Sequence, residues 1–134
     1  MERRARQPAE TTTYTLTAIG DSAPDATTQV TVGVDVEALP PVLNEFVADN
    51  RNGLTDPDGE REDWIEIYNP NPFAIDLGGW SLSDDQLRPD KWEFAPQIVP
   101  AGGYLIVFAS EKSGLLDANF KLAAAGEYLA LVDP

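Results

Sequence analysis

Asp63-Trp64-Ile65-Glu66-Ile67-Tyr68-Asn69-Pro70 is the stretch on which the fold turns. Side chains on a strand alternate between faces, so Trp64, Glu66 and Tyr68 share one side and Ile65 and Ile67 the other. Both faces carry large apolar groups, which predicts a central strand ended by a proline that cannot continue a ladder. Tyr104-Leu105-Ile106-Val107-Phe108 is apolar throughout, the pattern of a strand covered on both faces. These two strands are read as Asp63–Tyr68 and Tyr104–Ala109, and around them lie further short strand patterns at Leu43–Ala48, Phe73–Leu77, Trp80–Ser83, Trp92–Phe94, Phe120–Leu122 and Tyr128–Val132. Between them sit Asn52-Gly53, Asp58-Gly59, Asn69-Pro70-Asn71-Pro72, Gly78-Gly79, Pro89-Asp90, Pro100-Ala101-Gly102-Gly103 and Ala125-Gly126, all turn chemistry. No segment has a convincing amphipathic helical period, and Ser113–Ala118 has room for one helical turn at most. Short strands at this spacing predict an all-β antiparallel sandwich or barrel.

Upstream, Thr12–Ile19 and Thr28–Val34 alternate polar and apolar residues across the breaker Gly20-Asp21-Ser22-Ala23-Pro24-Asp25. That is a β-hairpin, with Tyr14, Leu16 and Ala18 facing Val30, Val32 and Val34. Two strands alone are marginal in water, so this apolar face needs a partner. Leu39-Pro40-Pro41-Val42 reads as a linker, because paired prolines favour extended backbone. The expected organisation is a disordered leader at 1–10, a hairpin over 11–38, a linker at 39–42 and a sandwich over 43–134.

The 134 residues carry 9 Lys+Arg against 23 Asp+Glu, a net charge of −14. Arg3, Arg4 and Arg6 lie in the leader, so the acidity belongs to the strand-forming part of the chain. A chain of this sign with no basic patch repels phosphate backbones, which argues against nucleic acid. His and Cys are both absent. That removes the commonest general base, thiolate metal sites, disulfides and cysteine nucleophiles. No apolar run reaches transmembrane length, and no secretion signal follows the arginines.

From residue 43 onward, the order of blocks is similar to the lamin tail domain, most closely its bacterial form. The resemblance is carried by Leu43-Asn44-Glu45-Phe46-Val47-Ala48-Asp49-Asn50, by Asp56-Pro57-Asp58-Gly59, and by the central-strand stretch Asp63–Pro70. It continues through Ile75-Asp76-Leu77-Gly78-Gly79-Trp80-Ser81-Leu82-Ser83, Lys91-Trp92-Glu93-Phe94, Ile98–Leu105 and Asn119-Phe120-Lys121-Leu122. It implies an immunoglobulin-like β-sandwich that acts without catalysis, as an interaction or adhesion module of a modular bacterial protein, secreted or attached to the cell surface. The partner is then a protein or a cell-surface component. Vertebrate members bind DNA, a property not carried over because the basic surface is missing. The family pattern has a further strand after the one at Tyr128–Val132, so the sandwich is read as truncated. The hairpin, in turn, resembles a remnant of a preceding immunoglobulin-like domain.

The densest acidity runs from Glu45 to Asp76, with Asp49, Asp56, Asp58, Glu60 and Asp63 in or beside one loop that also holds Asn50, Asn52 and glycines. Hard cations take several oxygen ligands, so these five carboxylates are the calcium candidates, and calcium is the one cofactor the sequence suggests. The spacing is not that of an EF-hand, and a solvated loop of Asx turns is the favoured reading, because like charges in a loop are common and need no ligand. Asp84-Asp85 with Asp90 reads as a polar turn rather than a catalytic carboxylate pair. Ser110 or Ser113 with Lys112 lacks any sign of the depressed lysine pKa that nucleophilic catalysis needs. Trp64, Trp80 and Trp92 read as core, with Trp92 the most open to exposure. A calcium-dependent adhesive domain and a metal-assisted hydrolase remain as alternatives to the noncatalytic module.

Incomplete sheet edges leave unpaired backbone groups. The hairpin of one chain filling the edge of another would give a strand-exchanged homo-oligomer. Such an oligomer sediments above monomer mass and protects the amides of residues 12–34 from exchange. A monomer whose amides there exchange at the unfolded rate would overturn it.

Overall fold

The computed structural model describes residues 12–19, 26–32 and 37–134. The leader at 1–10, the hairpin loop at 20–25 and Val34 lie outside the described residues. The chain divides into two units between Glu37 and Ala38.

In the first unit, β1 (Thr12–Ala18) and β2 (Ala26–Val32) pair antiparallel, with Tyr14 opposite Val30 and Leu16 opposite Thr28. Tyr14, Leu16 and Val30 are exposed. The other face is threonine-rich, and the Thr13 and Thr31 hydroxyls meet at 2.9 Å.

The second unit is all β, with no helix among the described residues. Its larger sheet has the order β10-β9-β4-β3, made from β3 (Val42–Val47), β4 (Asp63–Tyr68), β9 (Tyr104–Ala109) and β10 (Asp117–Ala118). As its two apolar faces imply, β4 is central in this sheet, flanked by β3 and β9, both antiparallel to it. A second sheet runs β11-β6-β7, from β6 (Ser81–Ser83), β7 (Trp92–Glu93) and β11 (Ala130–Val132). A two-residue ladder joins β5 (Ile75–Asp76) to β8 (Ile98–Val99). Ile65 and Ile67 of β4, Val107 and Ala109 of β9, Leu82 of β6 and Val99 of β8 are fully buried with Leu77, Phe94 and Phe120. This is the immunoglobulin-like sandwich that the resemblance implies, antiparallel except that β10 runs parallel to β9.

Three expectations need correction, and one is made specific. Phe120 and Leu122 are buried but belong to no ladder, so their alternation marks side chains that reach the core from an irregular segment. Ser113–Ala118 stays within the bound of one helical turn, with a turn at Leu115-Leu116 closed by the Asp117 N–H on the Gly114 carbonyl and then β10. The strand Tyr104–Ala109 is covered on one face only: Val107 and Ala109 are buried, whereas Tyr104 is 56% exposed. Residues 39–41 are not a free linker, because Leu39 is tied to the sandwich through both its backbone N–H and its C=O.

That tie belongs to a buried amide knot. Asn69, fully buried at the end of β4, donates its Nδ2 hydrogens to the carbonyls of Phe73 (2.8 Å), Pro100 (2.9 Å) and Val99 (3.1 Å). Its Oδ1 accepts from both the backbone N–H and the Nδ2 of Asn71, each at 2.9 Å. Asn71 in turn accepts from the Leu39 N–H (2.8 Å) and donates to the Leu39 carbonyl (2.9 Å). Proline cannot donate from its backbone, so at Asn-Pro-Asn-Pro the two asparagine side chains supply the donors the turn requires.

Asn69→Asp replaces the donor with a carboxylate facing three carbonyl oxygens. The expected loss is about 3 kcal/mol or more in urea denaturation, because a buried charge is left unpaired. Leu82→Ala, a plain cavity, is expected to cost about 2–5 kcal/mol. An Asn69→Asp protein as stable as wild type would show that the knot does not hold the fold.

Candidate functional site

The acidic loop between β3 and β4 is built from inside by two side chains. Asn50, 7% exposed, donates from Nδ2 to the Leu54 carbonyl (2.8 Å) and the Glu62 carbonyl (2.7 Å), and its Oδ1 accepts the Gly53 N–H at 2.9 Å. A Cβ on Gly53 would lie 2.6 Å from that oxygen, which reserves the position for glycine. Further along, the buried Asp56 accepts the N–H groups of Asp58 (3.0 Å) and Glu60 (2.8 Å) on Oδ1, an Asx-type turn.

Its second oxygen meets the ammonium of Lys112, which follows β9. The same Nζ lies 2.7 Å from Glu60 Oε2, 3.4 Å from Asp58 Oδ2 and 3.8 Å from Glu62 Oε1. Lys121 approaches Glu62 from the other side at 3.6 Å. Of the five calcium candidates, the structure therefore gathers Asp56, Asp58 and Glu60 around one lysine. Asp49 instead bonds the Arg51 guanidinium, and Asp63 accepts the Asn50 N–H. Glu62, outside that set of five, belongs to the cluster: oxygens of Asp56, Glu60 and Glu62 lie within 4.8 Å of one another.

The Lys112 hydrogen bond, aided by the Glu60 and Asp58 N–H groups and opposed by burial, holds the Asp56 carboxyl below its ordinary 3.8. Asp56 and Glu60 raise the Lys112 ammonium well above its ordinary 10.5. This is the reverse of what a lysine base needs. Ser110 is bonded to Asp117 at 2.7 Å and accepts the Lys112 N–H, so neither hydroxyl nor amine is poised for nucleophilic chemistry. Asp84 pairs with Lys91, and Asp85 caps a turn through the Leu87 N–H and Arg88, so this second carboxylate cluster closes a turn.

Beside the clamp, a groove of about 550 Å³ lies along β9. Ile106, Phe108, Leu115 and Leu116 line it, with Asp56, Asp58 and Asp117 among its polar walls. Along the same sheet face, the rings of Tyr68 and Tyr104 lie 4.8 Å apart at 31°. Trp64, opposite Phe108 across the ladder, is buried with its indole N–H unpartnered. Trp92 is half-buried and packs edge-on against Phe94 at 4.6 Å.

The all-β sandwich, with an acidic loop clamped by its own lysine and an apolar groove beside it, has the architecture of an immunoglobulin-like domain. The lamin tail domain model matches residues 39–134, and the chain belongs to this family. Members of the family generally serve as noncatalytic interaction modules. Comparison with curated proteins and with solved structures returned no match.

The two titration shifts fix the sign of the pH dependence. Asp56 contributes stability that is present above its ordinary value and is lost as pH falls through its lowered folded value. Lys112 contributes stability that is present below its ordinary value and is lost as pH rises through its raised folded value. Lys112→Met is expected to lower Tm by a constant amount between about pH 5 and about pH 9, the gap narrowing outside that window. A gap that varies within the window would rule out the clamp as its source.

Proposed function

We propose that this chain is a noncatalytic protein-binding module of a modular bacterial protein, secreted or attached to the cell surface, serving adhesion or positioning of its neighbours. The observation that carries this reading is the outer face of β9. In a chain of net charge −14, it presents Tyr104, Ile106 and Phe108 beside an apolar groove. Tyr104 is exposed and Ile106 and Phe108 are half-buried, and a partly open apolar strip of this kind suits a protein partner. The charge favours a partner that is not itself polyanionic.

The test uses the full chain on beads against the cell envelope of the organism that makes it. Saturable, protease-sensitive capture is expected, together with no turnover of phosphoester or glycoside panels. Turnover abolished by a chelator would instead establish the metal-assisted hydrolase.

A calcium-dependent variant of this reading draws on the proximity of Asp56, Glu60 and Glu62. Calcium takes six to eight oxygens and would have to displace the Lys112 ammonium already among these carboxylates. Calorimetric titration with calcium is expected to be silent for wild type and to show heat only in Lys112→Met. Binding by wild type that is abolished by Asp56→Ala and Asp58→Ala would favour the calcium-dependent adhesive domain.

A further inference from the structure

The two edges of the larger sheet are finished differently. On the β3 side, a bulge between Leu43 and Glu45 breaks the register, and Pro40-Pro41 precede the strand. Bulges, prolines and charges are the usual means of blunting an edge. On the other side, β10 covers β9 only at Phe108 and Ala109. There the Phe108 N–H points outward, to the Leu116 carbonyl at 2.8 Å. The period of two then puts the N–H and C=O of Ile106 and of Tyr104 on the same outer edge. Among the described residues, no strand lies beside Tyr104–Val107 there.

The groove adjoins this open edge. Its floor is Ile106, Phe108 and Leu115, and its charged walls are Asp56, Asp58 and Asp117 with the single cation Lys112, so the lining is net acidic. Asp58 lies 3.4 Å from the Lys112 Nζ, farther than Asp56 or Glu60, and its side chain is 73% exposed, so it is available to a second cation. Leu115 is 63% exposed over the floor. An open edge offers backbone hydrogen bonds, the groove offers a place for a side chain, and the wall selects positive charge. These are the components of strand addition. Anionic lipid and nucleic acid carry the same sign as the wall and are disfavoured.

Building on the interaction-module reading, we propose that the outer edge of β9 accepts an extended, lysine- or arginine-bearing segment of a partner protein. The segment adds as a strand beside Tyr104–Val107 and sets an apolar side chain between Ile106 and Leu115. A cationic residue of the same segment reaches Asp58.

The probe is a fluorescein-labelled peptide of alternating Lys and Val, titrated into the full chain by anisotropy. Two control peptides replace Lys by Glu or methylate alternate backbone nitrogens. Saturable binding of the Lys peptide is expected, with the Glu and N-methyl versions at least about tenfold weaker. Asp58→Lys is expected to weaken binding by about tenfold at low salt and less at high salt, as charge screening requires. Leu115→Ser is expected to weaken it at both. Both residues are exposed, so an unchanged Tm verifies that the variants fold. Slowed exchange of the Ile106 amide on binding reports the added strand directly.

Equal binding of the Glu or N-methyl peptide, or unchanged binding by both variants, overturns the proposal. So does preference for phosphatidylserine vesicles or duplex DNA over the peptide, or self-association in sedimentation that excludes the peptide. Envelope capture that survives Asp58→Lys and Leu115→Ser sinks only the edge proposal, leaving the module reading on another face. Peptide binding without envelope capture does the opposite.

Discussion

The fold depends on a buried carboxamide. Asn69 closes the central strand at the point where proline removes the chain's own donor, and its side chain reaches the carbonyls of Phe73, Val99 and Pro100. Through Asn71 the same network fastens Leu39, the point where the chain enters the sandwich. A sandwich must satisfy its backbone groups where strands turn from one sheet to the other, and those turns are the places ladders cannot reach. Two asparagines do this for the entry segment, the end of β4 and the turn after β8. The apolar core supplies most of the driving force, but it does not specify which turns close on which.

The acidic loop solves a different problem. Four carboxylates gathered around one point, three of them with oxygens within 4.8 Å of one another, repel, and a common remedy is a bound cation. Here Lys112 supplies the cation from the chain itself, delivered by the strand that also forms the groove. Loop and groove are therefore mechanically coupled through one side chain. The loop is organised by Asp56 and Asn50 and anchored to the end of β9, so the groove's acidic wall is held rather than floating.

The long strands were legible because their side-chain pattern is decided by the faces they bury: Asp63–Tyr68 and Tyr104–Ala109 match the observed bounds to the residue. The two-residue ladders at Ile98–Val99 and Asp117–Ala118 were not, because such short pairings are defined by a partner's backbone rather than by any local period. Phe120 and Leu122 show the converse, apolar alternation that marks burial without a ladder. At the site, the carboxylates were visible as a cluster, but their counter-ion is Lys112, more than fifty residues from Asp56. No spacing rule spans that distance. Asn69 and Asn71 read as turn residues, since nothing local distinguishes a solvated Asx turn from a buried knot.

The one-sided burial of β9 is the feature that most constrains how such a module works. A strand apolar on both faces normally sits between two layers. Here one face holds Val107 and Ala109 in the core, while the other carries Tyr104, Ile106 and Phe108 with only partial cover. Leaving such a strand near an edge invites nonspecific pairing between sheets, the hazard that β3 avoids with its bulge and prolines. In the proposed reading, an acidic wall beside the open edge offers discrimination without closing it, since net negative charge opposes pairing between copies and favours a cationic segment. In the proposed strand addition, the overall charge disfavours anionic partners and the local apolar strip favours an extended segment.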